Sequence, residues 1–218
     1  MLKEIYLGIF RQGNRIYTKN LIKGSVYGEE IINVENIEYR FFDPFRSKFA
    51  AAILKGLKSP LKEDSTMLYL GAASGTTISH MSDILSKGFI YGVEFSKRVA
   101  SQLYLVARNR NNLAIILKDA NNPKDYSAFL PHVDFLYEDI AQRNQYDIFL
   151  KNALIFLKRN GFGMICIKTR SIDVTKKPKE IFENIKEKLK NDNFEILQSL
   201  NLEPFQKDHY FILAKKDF

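Results

Sequence analysis

The sequence predicts an α/β fold, a mostly parallel sheet covered by helices on both faces and preceded by a small antiparallel β domain. From about residue 47, apolar segments of strand length alternate with helical segments, a pattern typical of parallel sheets. Before that point, short alternating runs are separated by turns such as "QGN", "KGS" and "YGEE", which indicate hairpins. We therefore expect a small N-terminal β domain over residues 1–46 and an α/β domain over residues 47–218.

The individual elements follow in order. Helical segments include "SKRVASQLYLVARNR", "NQYDIFLKNALIFLKRN" and a last helix that begins near Pro178 with an apolar stripe of Ile181, Ile185 and Leu189. The final runs "FEILQSLNL" and "DHYFILAKK" have no helix between them, so we expect the sheet to end in an antiparallel hairpin. The apolar runs that predict parallel strands cover residues 66–71, 89–95, 113–120, 133–140 and 163–169.

Composition excludes several classes of protein. No apolar run approaches the ~18 residues of a membrane span, and the N-terminal segment "MLKEIYLGIF" lacks the pattern of a signal peptide. We therefore expect a soluble protein without a membrane partner. The single cysteine, Cys166, excludes a disulfide or a cysteine-based metal site and is expected to be a small buried thiol. The sequence predicts no metal site.

The net charge of +8 is unevenly distributed. Residues 1–62 hold 11 Lys and Arg against 6 Asp and Glu, residues 63–145 hold 8 against 9, and residues 146–218 hold 14 against 10. The first and last segments of the sequence therefore carry excess positive charge, and the middle segment is nearly neutral. This distribution fits a polyanionic partner such as RNA. A generally solvated, lysine-rich surface is the alternative.

A glycine-containing turn, "GAASG" from Gly71 to Gly75, lies between the first strand of the α/β region and its first helix. Open α/β sheets bind ligands at this edge, and small residues let a ligand lie against the main chain. The spacing matches neither Gly-x-Gly-x-x-Gly nor a phosphate-binding loop. The turn by itself is a weak signal, and it does not favour dinucleotides or triphosphates.

Carboxylates follow the next three strands. The second strand ends in "YGVEF", which places Glu94 about 20 residues after the turn. An acid at this position can accept hydrogen bonds from a ribose diol. Asp119 in "LKDA" and Asp139 in "YEDIAQ" fall on the same edge. Each could be an ordinary surface acid, but their common position favours a shared site. A ligand with a ribose, an adenine and a positive charge fits, and S-adenosylmethionine has those parts.

Several ordered motifs resemble the fibrillarin family over nearly the whole chain. They are "SVYGEE", "DPFRSKFAAAI", "GAASGTTISHMSDI", "YGVEFSKR", "EDIAQ" and "IKTRSID". The resemblance implies a Rossmann-like class I methyltransferase sheet and guide-directed 2′-O-methylation of ribose in rRNA or tRNA with S-adenosylmethionine. The chain departs from the family pattern at Phe41-Phe42-Asp43, where a tryptophan is often found, and at Arg143, where a proline often follows "AQ".

The resemblance also implies a cofactor site. Thr76 and Thr77 would contact the methionine part or nearby backbone. Glu94 would hold the ribose hydroxyls, and Phe95 would lie against the adenine. Asp119 and Ala120 would contact the adenine edge, and Asp139 and Gln142 would lie near the sulfonium. The full predicted set is Gly71, Ala72, Thr76, Thr77, Glu94, Phe95, Asp119, Ala120, Asp139, Ile140, Ala141 and Gln142.

Related RNA 2′-O-methyltransferases use two lysines, an aspartate and a fourth polar group. The matching positions are Lys48, Asp139, Lys168 and His209. A ribose hydroxyl is a poor nucleophile, so positioning it for in-line attack should supply much of the rate. Lys168 would act as base or orienting group. Solvated lysines and a polar turn histidine are the alternatives, and His80 and His132 are expected in ordinary surface or packing roles.

The implied partners are a box C/D guide RNA, the target RNA, a Nop-type scaffold protein and a kink-turn-binding ribosomal-type protein. The chain has no Gly/Arg-rich tail, so we expect an archaeal type located in the cytoplasm. Two other functions stay open. One is methylation of a small molecule or of protein glutamine on the same fold. The other is a non-catalytic subunit of an RNA particle, although such a scaffold would not need a strand-end carboxylate beside a lysine.

Overall fold

A computed structural model describes residues 1–217. The N-terminal region forms a five-stranded antiparallel sheet in the order β1-β2-β3-β5-β4. This confirms the small hairpin-built sheet that the glycine-containing turns predict. Its strands are β1 (Lys3–Tyr6), β2 (Ile9–Gln12), β3 (Arg15–Lys19), β4 (Ile31–Val34) and β5 (Ile37–Phe41).

The second sheet has seven strands in the order β11-β12-β10-β9-β6-β7-β8. Strands β6 to β10 are parallel, and β12 pairs antiparallel with both β10 and β11. The predicted parallel sheet with a C-terminal antiparallel hairpin is therefore confirmed. The strands are β6 (Thr66–Leu70), β7 (Phe89–Glu94), β8 (Leu113–Leu117), β9 (Val133–Glu138), β10 (Leu157–Lys168), β11 (Phe194–Asn201) and β12 (His209–Lys216).

Helices separate the parallel strands. Six are α-helical: α1 (Lys48–Leu54), α2 (Thr76–Ile84), α3 (Lys97–Ala107), α4 (Gln145–Phe156), α5 (Thr169–Ile172) and α6 (Pro178–Asn191), and a 3₁₀ helix spans Pro123–Phe129. None of those formed by residues 1–217 is both long and apolar enough to cross a membrane. Because the strand order runs outward from β6 in both directions, a crevice opens at the carboxyl ends of β6 and its neighbours.

Two of the element boundaries that differ from the prediction have a clear physical reason. The helix expected over residues 144–160 ends at Phe156, because Leu157 is buried and pairs with Val133 as the start of β10. The strand expected over residues 113–120 ends at Leu117, where Lys118 N donates to the Ile116 carbonyl at 3.0 Å and turns the chain. Local apolar pattern does not reveal such ends, since packing decides them.

The two sheets share one hydrophobic core. Ile9, Ile16 and Phe42 from the N-terminal region belong to the same buried cluster as residues of α1 and β6. Phe42 lies 6.3 Å from Phe49, measured between ring centroids. The boundary near residue 46 stays a prediction, because this packing is continuous across it.

A buried charge network fixes the small sheet to the α/β region. Arg40, whose side chain is 0% exposed, donates to Glu29 at 2.5 Å and to Asp83 of α2 at 2.7 Å. Arg110 donates to the other Asp83 oxygen at 2.7 Å. Buried charges are tolerated when each has a partner, and here two arginines share two carboxylates. The network joins β5, α2 and the segment after α3.

His80 is a packing residue, as predicted, and it has partners on both ring nitrogens. Nδ1 lies 2.7 Å from the Thr18 hydroxyl, and Nε2 lies 2.7 Å from the Tyr27 hydroxyl. The ring stacks on Phe42 at 4.2 Å. Burial, reinforced by the positive charges of nearby arginines, lowers the pKa of His80 well below its usual value. His80 is therefore a neutral structural residue.

Candidate active site

A cleft of about 300 Å³ opens at the carboxyl ends of β6 to β9. Most of its wall comes from residues that the sequence predicts for the cofactor site, and Ala73, Val93 and Lys118 are additional. The assignment of these residues to a cofactor stays a prediction, but the structure brings them to one place. The predicted residues in the wall are Gly71, Glu94, Phe95, Asp119, Ala120, Asp139, Ile140, Ala141 and Gln142.

The glycines of the turn are required by the protein's own chain. Gly71 has φ +81°, and a Cβ there would lie 2.6 Å from the Asp139 carbonyl oxygen. Gly75 has φ +104°, and a Cβ there would lie 2.9 Å from Val106. Both conformations disfavour other residues. The close approach at Gly71 holds the end of β9, and with it Asp139, against the turn.

Glu94 is oriented at the end of β7 by the backbone. Its side chain accepts hydrogen bonds from Ala73 N at 3.1 Å and from Ser96 N at 2.9 Å, one on each carboxylate oxygen. The residue is 7% exposed and lines the cleft. Because each carboxylate oxygen has a further lone pair, Glu94 can still accept a bond from each hydroxyl of a diol. Beside it, Phe95 is 66% exposed and offers an aromatic face.

A residue that the sequence analysis missed supports two residues of the opposite wall, Asp119 and Gln142. Asn121 donates from its backbone to Asp119 Oδ1 at 2.9 Å, and its side chain donates to Gln142 at 3.2 Å. Asn144 in turn donates to Asn121 at 2.6 Å. Asn121 thus joins the loops after β8 and β9. The only available signal was its place two residues after Asp119, the spacing of an Asx turn.

Three predicted cofactor residues do not line this cleft. Ala72 is buried beneath the turn, and Thr77 is 6% exposed with its hydroxyl donating to Ser47 Oγ at 3.1 Å. Thr76 instead lines a neighbouring groove, beside α3. Ser47 caps α1 by accepting a bond from Ala50 N at 3.3 Å. Thr77 therefore connects the glycine turn to the start of α1, where Lys48 lies.

Lys48 and Asp139 form an ion pair at the edge of the cleft. Lys48 Nζ lies 2.8 Å from Oδ1 and 3.1 Å from Oδ2 of Asp139. Their side chains are 21% and 19% exposed. Burial by itself lowers the pKa of Lys48, but the attraction of Asp139 outweighs it and the pKa is raised above its usual value. Lys48 therefore stays charged near pH 7 and is not suited to accept a proton.

Lys168 and His209 face each other at the end of the β10–β12 ladder. Lys168 is exposed and makes no ion pair or side-chain hydrogen bond within residues 1–217. The pKa of His209 is lowered, chiefly by burial, and the charges of Lys48, Asp139 and Lys168 all act on it. The other three predicted catalytic residues therefore lie within electrostatic range of His209.

The tautomer of His209 follows from its hydrogen bond. Nδ1 lies 2.6 Å from the Lys207 carbonyl oxygen, and a carbonyl can only accept, so Nδ1 carries a proton. Since the lowered pKa keeps the ring neutral near pH 7, Nε2 has a free lone pair. His209 can therefore accept one more proton at Nε2.

Beneath the ion pair lies a buried floor that the sequence analysis did not identify: Tyr69, Tyr137 and Cys166. The Cys166 thiol donates to the Tyr137 hydroxyl at 3.0 Å, and the two tyrosine rings lie 4.5 Å apart between centroids. Burial, followed by the negative charge of Asp139, raises the pKa of Cys166 well above its usual value. The predicted small buried thiol is thus confirmed. Residues 1–217 contain no cluster of three His, Cys, Asp or Glu suited to a metal.

Glu138, next to Asp139, is completely buried. Neither of its carboxylate oxygens has a hydrogen-bond partner within the described chain. Burial, reinforced by the negative charge of Asp139, raises its pKa well above the usual range. Glu138 is therefore a neutral carboxylic acid near pH 7. The strand places these two adjacent carboxyl groups in contrasting environments.

Glu138→Gln is expected to stabilise the protein at neutral and alkaline pH. A glutamate in the unfolded chain titrates near ~4.3, so above that pH the folded state holds a proton that the unfolded state has lost. Stability therefore falls as the pH rises from there toward the raised folded pKa. Glutamine cannot ionise and removes this loss. We expect the free energy of unfolding at pH 8 to rise, because each pH unit between the unfolded and the folded pKa of Glu138 costs the original chain ~1.4 kcal/mol.

Urea unfolding of both proteins at pH 4, 6 and 8 checks this. The gain should vanish near pH 4, and Glu195→Gln, at an exposed position of β11, should show no gain at any pH. A difference between Glu138→Gln and the original chain that is the same at all three pH values would contradict the assignment of a neutral Glu138.

Comparison with known proteins places the chain among well-defined relatives. A family model described as Fibrillarin matches residues 1–218. The fibrillarin-like rRNA/tRNA 2′-O-methyltransferase of Saccharolobus islandicus is 52% identical over 218 residues, which is 98% of this chain and 94% of that protein.

Two solved structures share the whole fold. Aeropyrum pernix fibrillarin, in complex with natively bound S-adenosyl-L-methionine, has a TM-score of 0.90 and 44% identity, and the match covers 98% of this chain and 97% of that one. A chain of a fibrillarin/Nop5p complex has a TM-score of 0.92 and 42% identity, and the match covers 98% of this chain and 100% of that one.

Proposed function

Since this chain belongs to the fibrillarin family, we propose that it transfers a methyl group from S-adenosylmethionine to a ribose 2′-hydroxyl of rRNA or tRNA. One observation carries the proposal. The Lys48–Asp139 ion pair lies at the edge of a cleft whose wall contains Glu94 and the exposed Phe95. Asp139 thus belongs both to an ion pair that can orient a hydroxyl and to a cleft suited to an adenosine.

The cleft fits the cofactor on its own features. Glu94 is held by two backbone N–H groups yet still lines the cleft, so its carboxylate is preorganised for a ribose diol. Phe95 would cover the adenine, and Asp119 and Ala120 would meet its edge. When bound, the cofactor supplies an electrophilic methyl group on a sulfonium.

The chain's own residues orient the hydroxyl and manage its proton. As the methyl–sulfur bond breaks and the oxygen–methyl bond forms, the 2′-hydroxyl must lose a proton. Lys48 stays charged because of Asp139, so it holds the hydroxyl or the adjacent phosphate. Either Lys168 in its uncharged form or the free Nε2 of His209 would take the proton. Such positioning is worth several kcal/mol.

Target selection requires partners. The fibrillarin/Nop5p complex among the solved structures supports a Nop-type scaffold as one of them. The net charge of +8 and the lack of a recognisable sequence-reading RNA module favour selection by a guide. The proposal therefore includes a box C/D guide RNA and a kink-turn-binding ribosomal-type protein, in an archaeal-type particle of the cytoplasm.

The test is transfer of labelled methyl groups from S-adenosylmethionine. The chain is assembled with a Nop-type scaffold, a kink-turn-binding protein and a guide RNA, and then given a target RNA that pairs with the guide. We expect one labelled 2′-O-methyl nucleotide, located by nuclease digestion and mass spectrometry, and none with a scrambled guide. Label in a protein component, or no transfer by the complete particle, would overturn the proposed function.

Glu94→Ala is expected to weaken cofactor binding without unfolding the chain. Losing a hydrogen-bonded charged acceptor costs about 1.5–3 kcal/mol, which corresponds to a roughly 10- to 150-fold higher Kd for S-adenosylmethionine in a calorimetric titration. Glu195→Ala, on the exposed face of β11, is the control and should bind normally. An unchanged Kd for Glu94→Ala would remove Glu94 from the cofactor site.

A further inference from the structure

A second concavity, the α3 groove, lies beside the cleft and has a volume of about 480 Å³. Its walls are the loop of residues 22–27, the outer face of α3 with the residues after it, and the start of α2. We propose that this groove binds the ribose-phosphate backbone of the target RNA strand next to the methylated nucleotide. The residues used in the argument are Lys23, Tyr27, Arg46, Ser74, Thr76 and Arg110.

The charge of the groove is the first argument. Three cations line it, Lys23, Arg46 and Arg110, whereas no aspartate or glutamate does. Serine, threonine, asparagine and glutamine side chains fill much of the remaining wall. A concave surface with one sign of charge concentrates the opposite charge, and phosphate is the anion that neighbours a ribose hydroxyl in RNA.

Arg46 is prepared for such a contact. Its guanidinium carbon lies 4.5 Å from the centroid of the Tyr27 ring. The side chain is exposed, and within residues 1–217 it forms no ion pair. Stacking on an aromatic face fixes the plane of a guanidinium while leaving its donors free, which lowers the entropy lost when it binds phosphate.

Arg110 and Lys23 complete the positive surface. Arg110 is 5% exposed and is anchored by Asp83, but its Nη2 has no hydrogen-bond acceptor within the described residues. Nη2 is itself buried, so Arg110 contributes positive charge to the groove wall but no free donor, and the unpaired cations of the groove are Lys23 and Arg46. Lys23 lines the same groove, is exposed, and forms no ion pair within residues 1–217. The loop that carries it also positions Tyr27.

The α3 groove lies next to the residues proposed for the reaction. Ser74 and Thr76 belong to the glycine turn and the start of α2, which border both concavities. Arg46 precedes Lys48 by two residues. An RNA strand whose 2′-hydroxyl reaches the Lys48–Asp139 pair must extend away from it on both sides. The α3 groove provides a basic path for one of these directions.

This inference rests on the proposed function, and its test uses the assembled particle. Lys23→Ala/Arg46→Ala is compared with Lys179→Ala/Lys190→Ala, which removes two exposed positive charges from α6. We expect the groove variant to raise the KM for target RNA at least fivefold while kcat at saturating RNA and the Kd for S-adenosylmethionine stay unchanged. The α6 variant should match the original chain in all three quantities.

Salt dependence gives a second readout. Loss of two phosphate contacts should reduce the slope of log affinity against log salt by about 1.4–1.8, measured by anisotropy of a labelled target strand on the particle. Arg46→Lys keeps the charge and should restore most of the slope. A groove variant with the original KM and slope would overturn the inference.

Two further outcomes are distinguishable. If the groove variant loses affinity for the scaffold protein and keeps its salt slope for RNA, the groove is a protein contact and the inference is wrong. If the original particle transfers no methyl group to RNA, the proposed function itself fails. In that case methyl transfer is already absent in the particle with the original chain, so this failure does not depend on the groove variant.

Discussion

Asp139→Asn is expected to reduce the rate of guided methylation by ~10²–10⁴-fold, the range for a positioned polar group in catalysis. The reason is the ion pair with Lys48, at 2.8 Å and 3.1 Å. Asparagine keeps the shape but removes the charge that holds the Lys48 ammonium in place. Burial would then lower the pKa of Lys48 without the opposing attraction. Cofactor binding should also weaken, because Asp139 lines the cleft.

The measurement is single-turnover transfer in the assembled particle at saturating cofactor. Asp134→Asn is the matched control. Asp134 lies near the start of β9, the strand that ends just before Asp139, and forms an ion pair with Lys158 at 2.8 Å. It should keep the full rate. Wild-type methylation by Asp139→Asn would exclude the Lys48–Asp139 pair from the mechanism.

Lys168→Ala is expected to slow methylation to a similar extent, ~10²–10⁴-fold, while cofactor affinity stays near normal. Lys168 ends β10 opposite His209 and is exposed without an ion pair in the described chain. It does not line the cofactor cleft. Its loss should therefore affect the reacting hydroxyl and leave the fold and the cofactor site unchanged.

Lys158→Ala, on the same strand at its other end, is the control and should be fully active. Arginine does not lose its proton in proteins, so Lys168→Arg separates the two roles. A restored rate would assign Lys168 to orientation, and a rate as low as that of alanine would assign it to proton transfer. Full activity of Lys168→Ala would remove this residue from the mechanism.

The sequence by itself predicts most of the residues that line the cleft. Alternating strands and helices predict a parallel sheet, and all parallel strands end at one edge. A glycine turn after β6 and carboxylates after β7, β8 and β9 must therefore converge. Gly71, Glu94, Asp119 and Asp139 do meet in one cleft, although their binding roles stay predictions.

The catalytic side depends on contacts between distant parts of the chain. Lys48 and Asp139 are separated by 91 positions, and only the family resemblance linked them before the structure. No local pattern places the start of α1 against the end of β9. The packing of Phe49 and its neighbours into the shared core does so.

Sequence by itself thus determined which residues lie at the edge of the sheet, because strand periodicity and chain direction are local properties. Tertiary structure decided which of them acquire charge partners and which become buried. Glu138 and Asp139 are adjacent in sequence, yet one is sealed without a partner and the other is paired with Lys48. The pKa of a carboxyl depends on desolvation and nearby charge, and both are set by elements that come from elsewhere in the chain.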